Sequence, residues 1–178
     1  MHDLIIIGGG PAGLTAALYA GRSRLETVIL EKMSVGGRIL LTETIENYPG
    51  FPGGVPTYDL VLAMEKQVKD LGIKIIMEEV RSIDPRGKLI QSDAGHYSAS
   101  SIIIASGARP RRLGVPGEDT LTGKNVTYYA HCDRTLNRNK DVVVVGGGNA
   151  VAEEALYLAR ISSSVTLIHR RDELRASP

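Results

Sequence analysis

A glycine-rich turn near the amino terminus constrains this chain more than any other feature. An apolar run at residues 4–7 ends in Gly8-Gly-Gly-Pro-Ala-Gly13, an Ala- and Leu-rich stretch follows to residue 20, and a second apolar run at 28–30 ends in Glu31. This order predicts a strand, a tight turn, a helix and a second strand. Glycines at positions 8, 10 and 13 suit a turn that binds a pyrophosphate, because they allow the bend, the close approach of the ligand and the close packing of helix on strand. Glu31 is then placed to accept hydrogen bonds from a ribose diol.

Composition argues against several classes of function. The 178 residues include 21 basic and 20 acidic side chains, so the net charge of +1 gives no reason to expect nucleic acid or an anionic membrane as a partner. The single cysteine, Cys132, excludes an intramolecular disulfide and a multi-cysteine metal site, and we expect no metal. Because the chain enters a strand by Leu4 without a signal peptide or membrane anchor, we expect a cytoplasmic protein.

Two glycine-rich segments follow the opening unit. Gly36-Gly37, within residues 32–38, predicts a loop over the carboxyl end of the sheet, where ligands of such folds bind. Residues 46–54 contain three glycines and two prolines and therefore form neither a helix nor a central strand. Composition alone leaves open whether this second segment is a linker or a ligand loop.

The remaining pattern up to residue 140 predicts a helix, further strands and a boundary. Apolar spacing predicts a helix over Tyr58–Leu71, and the runs 73–77, with Val80, and 88–91 resemble antiparallel strands. Ser101–Ala105 predicts a short buried strand. Prolines and glycines between 110 and 124 mark the end of the first unit, and we expect domains over 1–113 and 114–178.

The opening pattern recurs at a constant offset of 138 residues, without a gap, through the following helix and strand. Asp3 corresponds to Asp141, and the turn corresponds to Gly146-Gly-Gly-Asn-Ala-Val151. Because one such turn serves one pyrophosphate, two turns predict two nucleotide cofactors and electron transfer between them.

The two copies differ at two informative positions. Where the first has Glu31, the second has His169-Arg170-Arg171, with Arg175 close behind, and these cations suit a 2′-phosphate, so the second copy should prefer NADPH. The competing interpretation is that these basic residues merely lie at the start of a helix. Val151 replaces the third glycine and is expected to hold helix and strand slightly apart.

Several motifs in this order resemble the low-molecular-weight thioredoxin reductases, a family of FAD- and NADPH-dependent pyridine nucleotide-disulfide oxidoreductases. They are the two glycine turns and the segments Gly36-Gly-Arg38, Glu46-Asn-Tyr-Pro-Gly-Phe-Pro52, Ala105-Ser-Gly-Ala108, Glu153-Glu-Ala155 and His169-Arg-Arg-Asp-Glu-Leu-Arg175. The resemblance covers essentially the whole chain. It implies an α/β fold of two Rossmann-like dinucleotide-binding units, the three-layer FAD/NAD(P)-binding fold, with FAD on the first and NADPH on the second. It also implies a homodimer.

The resemblance carries the family's cofactor contacts onto positions of this sequence. Those for FAD are Gly8, Gly10, Pro11, Ala12, Gly13, Glu31, Gly37, Arg38, Asn47, Val80, Ala105, Ser106, Gly107 and Ala108. Those for NADPH are Gly146, Gly148, Asn149, Ala150, His169, Arg170, Arg171 and Arg175. Arg38 stands where the family usually has Gln.

The family's redox segment, Cys-Ala-Thr-Cys-Asp, corresponds here to Tyr129-Ala-His-Cys-Asp133. Cys132 matches the cysteine that faces the flavin and Asp133 the acid that assists proton transfer, so these two are the expected catalytic residues. Tyr129 replaces the other cysteine, and a single thiol cannot alternate between dithiol and disulfide within the chain.

Relative to the family, the chain also ends within the second unit, which is expected to be incomplete. The leading hypothesis is a thioredoxin reductase-like oxidoreductase that passes hydride from NADPH to FAD and on to a thioredoxin-like protein, another disulfide or a small-molecule acceptor. The alternative is a non-catalytic nucleotide-binding protein without flavin, so whether the chain is an active enzyme stays open at this point.

Overall fold

The computed structural model describes residues 1–128, 130 and 137–177. The chain forms two compact units, Met1–Arg109 and Pro110–Pro178. The division falls at the start of the Pro- and Gly-rich segment that the sequence marks as a boundary.

The first unit alternates strands and helices before it ends in a run of strands. Its elements are β1 (His2–Ile7), α1 (Pro11–Arg22), β2 (Thr27–Glu31), a 3-10 helix (Gly37–Leu41), β3 (Thr44–Ile45), β4 (Val55–Pro56), α2 (Thr57–Asp70), β5 (Lys74–Met77), β6 (Val80–Asp84), β7 (Leu89–Ser92) and β8 (His96–Ile104). The predicted strand, turn, helix and strand at the amino terminus are confirmed. The predicted helix over residues 58–71 is confirmed to within one residue at each end.

A six-stranded sheet in the order β5-β2-β1-β8-β7-β6 organises this unit. The strands β5, β2, β1 and β8 are parallel neighbours, whereas β6, β7 and β8 are antiparallel. The nine-residue strand β8 therefore serves both parts, since its first half pairs with β7 and its second half with β1.

Burial on both faces explains the unbroken apolar runs of the central strands. Leu4 and Ile6 of β1 pack with the apolar sides of α1 and α2, whereas Ile5 and Ile7 pack with residues of β6, β7 and β8. Alternate residues of a strand point to opposite faces, so one short strand contributes to two cores. Helices, parallel strands and the antiparallel strands thus form three layers.

Two details of the predicted strand pairing are wrong. The run 73–77 does not pair with 88–91 but supplies β5, which adds to β2 in parallel, and the antiparallel partner of β7 is β6. Apolar runs alone do not identify a pairing partner, and here Ile73 is drawn into the core beneath α1 and α2. The strand predicted over 101–105 extends back to His96, and its last residue, Ile104, is largely exposed.

The second unit contains a second strand, turn, helix and strand unit. Within the described residues it comprises α3 (Glu118–Leu121), β9 (Asp141–Val145), α4 (Asn149–Leu158) and β10 (Ser164–Ile168), with β9 and β10 paired in parallel. Val144 and Leu158 are buried in its small core, whereas Val143 and Val145 are largely exposed. Within the described residues, one face of this two-stranded sheet is consequently left exposed at Val143 and Val145.

A buried carboxylate organises the beginning of the second unit. Glu118 is only 5% exposed, and its side chain accepts hydrogen bonds from the Tyr128 hydroxyl (2.6 Å) and the backbone N–H groups of Leu113 (2.8 Å) and Gly114 (2.7 Å). The hydrogen bond from Tyr128, followed by that from Leu113, outweighs the opposing effect of burial and lowers the pKa of Glu118 from 4.5 to about 2.

Glu118 should make stability depend on acid in a defined pH window. Because its pKa is lower in the folded than in the unfolded chain, its contribution is fully present above pH 4.5 and is lost as pH falls towards about 2. We expect Glu118→Gln to melt at a lower temperature than the wild type, by a constant margin at neutral pH that narrows below pH 4.5. Melting curves followed by circular dichroism across this range test the prediction, and a margin that widens in acid would contradict it.

Candidate functional site

The first glycine turn joins β1 to α1 through unusually close backbone contacts. Gly8 has a φ of 108°, and a Cβ atom placed on it would clash with the carbonyl oxygen of Ala105. A Cβ atom on Gly13 would overlap the carbonyl oxygen of Gly8. Both positions therefore require glycine, for conformation at the first and for space at both.

The amino end of α1 is left accessible by this arrangement. A Cβ atom on Gly10 would meet one neighbouring atom within 4 Å, the carbonyl oxygen of Gly36 at 3.8 Å. Among the described residues no side chain caps this helix, whose first residue is Pro11. Ala12 and Gly13 follow in its first turn, where N–H groups lack intrahelical partners and favour an anion.

Glu31 closes the turn from the end of β2. It is 8% exposed, and its carboxylate accepts hydrogen bonds from the backbone N–H of Gly9 (2.7 Å) and of Met33 (2.9 Å). Each carboxylate oxygen retains a second acceptor position after one such bond. The geometry thus holds a charged acceptor beside the turn with capacity for a ribose hydroxyl.

Two loops extend this site. The backbone N–H of Gly36 donates to the carbonyl oxygen of Gly9 (2.8 Å), which places Gly37 next to Gly10. The Arg38 guanidinium donates to the carbonyl oxygen of Ala108 (2.6 Å) and so connects this loop to residues 105–108 at the carboxyl end of β8. Of the predicted residues, Ala105 and Ser106 therefore lie against Gly8 of the glycine turn, whereas Ala108 contacts the Arg38 side chain and Gly107 lies between them in sequence.

Asn47 and Val80 are less closely connected to the turn. Asn47 is exposed in the loop 46–54, in which the rings of Tyr48 and Phe51 lie 6.1 Å apart between centroids. Val80 begins β6 and packs in the same core as Ile7, the last residue of β1. Glu79, the residue before Val80, has its Oε1 atom 4.0 Å from the Nζ atom of Lys32, the residue after Glu31.

The second turn repeats the first with one change. Gly146 has a φ of 141° and donates its N–H to the carbonyl oxygen of Ile168, as Gly8 does to Leu30. Val151 fills the space of the third glycine, with a methyl carbon 2.7 Å from where a Gly146 Cβ atom would lie. A Cβ atom on Gly13 would overlap the carbonyl oxygen of Gly8, and the real Cβ atom of Val151 cannot overlap that of Gly146 in the same way. The backbone at residues 146 and 151 must therefore lie farther apart than at residues 8 and 13.

The segment after β10 folds back onto the second turn. The His169 ring lies against Gly147, and the backbone N–H of Arg175 donates to the carbonyl oxygen of Gly147 (2.7 Å). The Nε2 atom of His169 is buried and makes no hydrogen bond with the described residues. Arg170 and Arg171 are exposed in the same segment.

Gly148, Asn149 and Ala150 form the amino end of α4, which has no side-chain cap among the described residues. The side-chain oxygen of Asn149 accepts a hydrogen bond from the backbone N–H of Ser177 (2.8 Å). The second unit therefore also presents an accessible helix terminus, here accompanied by arginines in place of a carboxylate.

The two predicted catalytic residues, Cys132 and Asp133, lie outside the described residues, and so does the neighbouring Tyr129. Other residues of the site were not predicted from the sequence. The unpredicted contributors include the middle glycines, Gly9 and Gly147, whose backbone groups receive the closing loops. The repeat itself contained this signal, since both copies have glycine at that position.

Comparison with known proteins identifies the family. The sequence model of the pyridine nucleotide-disulphide oxidoreductase family matches residues 2–178. The chain belongs to this family.

Similar members of the pyridine nucleotide-disulphide oxidoreductase family are thioredoxin reductases. That of Peptoclostridium acidaminophilum is 45% identical over 99% of this chain and 57% of its own length. The crystal structure of the thioredoxin reductase from Streptococcus pyogenes superimposes with a TM-score of 0.87 at 42% identity. The solved structure of the thioredoxin reductase from Giardia duodenalis superimposes with a TM-score of 0.88 at 38% identity, and each match covers 99% of this chain and 58% of the other. The predicted resemblance and the predicted fold are confirmed, and the chain spans somewhat more than half the length of these relatives.

The described residues form neither a membrane-spanning helix nor a metal-binding cluster. None of the helices in the described part of the chain has both the length and the apolar content needed to cross a bilayer. No group of three or more His, Cys, Asp or Glu residues within 1–128, 130 and 137–177 is arranged to hold a metal ion.

The contact between Gly13 and Gly8 should make the first turn intolerant of even one added methyl group. Gly13→Ala would place that group on the carbonyl oxygen of Gly8, and no side-chain rotation could relieve the overlap. We expect the unfolding free energy to fall by at least about 3 kcal/mol, which is the upper end of the usual cost of overpacking a core. Urea unfolding followed by circular dichroism measures it. Gly95→Ala is the matched control, because nothing lies within 4 Å of its added Cβ atom, and equal losses in both variants would contradict the prediction.

Proposed function

We propose that this protein is an NADPH-dependent flavoprotein oxidoreductase of the thioredoxin reductase type, with FAD on residues 1–113 and NADPH on residues 114–178. The observation that carries the proposal is the contrast between the two turns, one closed by the buried carboxylate of Glu31 and the other followed by exposed arginines. A carboxylate suits a free ribose diol, whereas planar cations suit a ribose 2′-phosphate.

The first site fits the ADP part of FAD in three respects. Its helix terminus is accessible, Glu31 is held in place by Gly9 and Met33, and the backbone of Gly37 and of Ala105 lies next to the turn. When bound, FAD supplies a centre that takes up hydride and releases electrons to an acceptor. The chain contributes an anion-binding helix end and a hydrogen-bond acceptor for the ribose. The hydrogen bond from Arg38 to Ala108 connects the loop after β2 to the loop after β8.

The second site fits a phosphorylated dinucleotide. Its helix terminus is likewise accessible, and Arg170, Arg171 and Arg175 follow the strand end where the first unit has Glu31. The wider turn at Val151 still leaves Gly148 free of close neighbours, because nothing lies within 4 Å of a Cβ atom placed there. We therefore assign NADPH rather than NADH to this unit.

Electron transfer beyond the flavin must use an acceptor outside the chain. Cys132 is the only cysteine, and an intramolecular disulfide needs two. In the proposed reaction Cys132 faces the flavin and Asp133 assists proton transfer, and the acceptor is a thioredoxin-like protein, another external disulfide or a small molecule. We further propose a homodimer in the cytoplasm, where a lone thiol stays reduced.

Colour gives the first test of this function. Protein purified with FAD present should retain the flavin absorption bands after gel filtration, and NADPH should bleach them under anaerobic conditions. A colourless protein that NADPH leaves unchanged would favour the alternative, a nucleotide-binding protein without flavin.

The arginines allow a second test that needs no flavin. Arg170→Ala with Arg171→Ala should weaken binding of NADP⁺ about tenfold to a hundredfold, the effect of losing hydrogen bonds to a charged phosphate, and leave NAD⁺ binding unchanged. Titration calorimetry measures both affinities. Arg160→Ala, which removes another exposed arginine of the second unit outside residues 169–175, is the control, and an equal loss for both nucleotides would refute the 2′-phosphate assignment.

A further inference from the structure

The loops after β2 and β8 meet at the first glycine turn. The sheet order places β1 between β2 and β8, and all three strands run parallel. Their carboxyl ends therefore lie at one edge of the sheet, the edge at which ligands of parallel α/β sheets bind. A bond between the two flanking loops consequently spans the carboxyl end of β1, where the glycine turn begins.

The loop after β2 is well anchored. Gly36 lies so close to α2 that a Cβ atom added to it would be 2.8 Å from a methyl carbon of Val61. Val35 and Ile39, on either side of the two glycines, pack against the core beneath α1 and α2. The side chain of Arg38 therefore extends from a fixed stretch of backbone.

The loop after β8 has fewer restraints. The backbone N–H of Ala105 donates to the carbonyl oxygen of Ile7 at 2.8 Å, which continues the pairing of β8 with β1. In the part of the chain that the structure describes, residues 106–109 are exposed and form no backbone–backbone hydrogen bond. The hydrogen bond that the Arg38 guanidinium donates to the carbonyl oxygen of Ala108, at 2.6 Å, connects this stretch to the anchored loop.

A guanidinium suits such a connection. Its charge makes the bond stronger than one between neutral groups, and its planar group loses less rotational freedom for each hydrogen bond than an ammonium does. These properties matter here because the bond lies at the surface, where water competes for the same groups.

We propose that Arg38 is a positioning residue for the cofactor, because its guanidinium holds residues 106–108 in the arrangement that the first site requires. Gly107 lies in the middle of this stretch with a φ of 68°, and glycine is the residue with the greatest backbone freedom to lose. A loop that is ordered before its ligand arrives does not lose that freedom on binding, so its affinity for the ligand is higher. The inference rests on the proposed binding of FAD to this unit.

Mobility of the loop tests the restraint without any cofactor. Arg38→Met keeps most of the length of the side chain but removes every hydrogen-bond donor. Order parameters from ¹⁵N relaxation of the Gly107 and Ala108 amides, measured in flavin-free protein, should fall from near the value of rigid backbone, about 0.85, towards that of flexible backbone, below about 0.6.

Affinity for FAD tests the consequence of the restraint. The dissociation constant of FAD, measured by the quenching of its fluorescence, should rise about tenfold in Arg38→Met, the factor expected for losing one hydrogen bond from a charged donor. Arg38→Ala is a second variant that should change both quantities in the same direction. Melting curves followed by circular dichroism check that the variants remain folded.

Controls separate this role from a direct contact between Arg38 and the cofactor. Arg86→Met removes an exposed arginine from the turn between β6 and β7 and should change neither quantity. Unchanged order parameters in Arg38→Met overturn the proposal even where FAD binds more weakly, because Arg38 would then act by direct contact. A dissociation constant within twofold of the wild type, with a mobile loop, overturns it as well.

Failure of the proposed function has a different signature. A wild-type protein that binds no FAD refutes that function and with it the cofactor role of Arg38. The order parameters still decide whether the bond from Arg38 to Ala108 restrains the loop, because they are measured without flavin.

Discussion

The structure of the first unit depends on a place where three stretches of backbone meet without side chains between them. Gly8 lies against the carbonyl of Ala105 on one side and approaches Gly13 on the other. This contact sets the angle at which α1 leaves the sheet and brings the end of β8 to the turn. The accessible helix terminus and the neighbouring loops follow from it, since each is anchored to one of these three stretches.

The two units share one local design with different side chains around it. In the first, the backbone N–H of Gly36 closes onto Gly9, and in the second that of Arg175 closes onto Gly147. The returning loop is thus held by the same kind of bond at the same glycine. What differs is the side chain at the strand end, Glu31 in one unit and His169 in the other, together with Val151 in place of the third glycine.

The features predicted correctly from the sequence are those that depend on residues close together in the chain. The glycine spacing, the two-sided apolar run of β1 and the helix α2 were all predictable for this reason. The partner of β5 was not, since an apolar run has no mark of which strand it joins. Glu118 also escaped prediction, because a glutamate in a Pro- and Gly-rich segment resembles a solvated residue until its three donors are seen.

The dual role of β8 has a consequence for the order in which the first unit assembles during synthesis. β1 is made first, but its parallel partner on one side arrives about a hundred residues later, and contacts so distant in sequence form slowly. Until β8 has left the ribosome, Ile5 and Ile7 lack the part of their core that Tyr97, Ala99 and Ile102 supply. The amino-terminal turn is therefore synthesised early, but its contact with the end of β8 forms late. In the interval the nascent chain carries an exposed apolar strand.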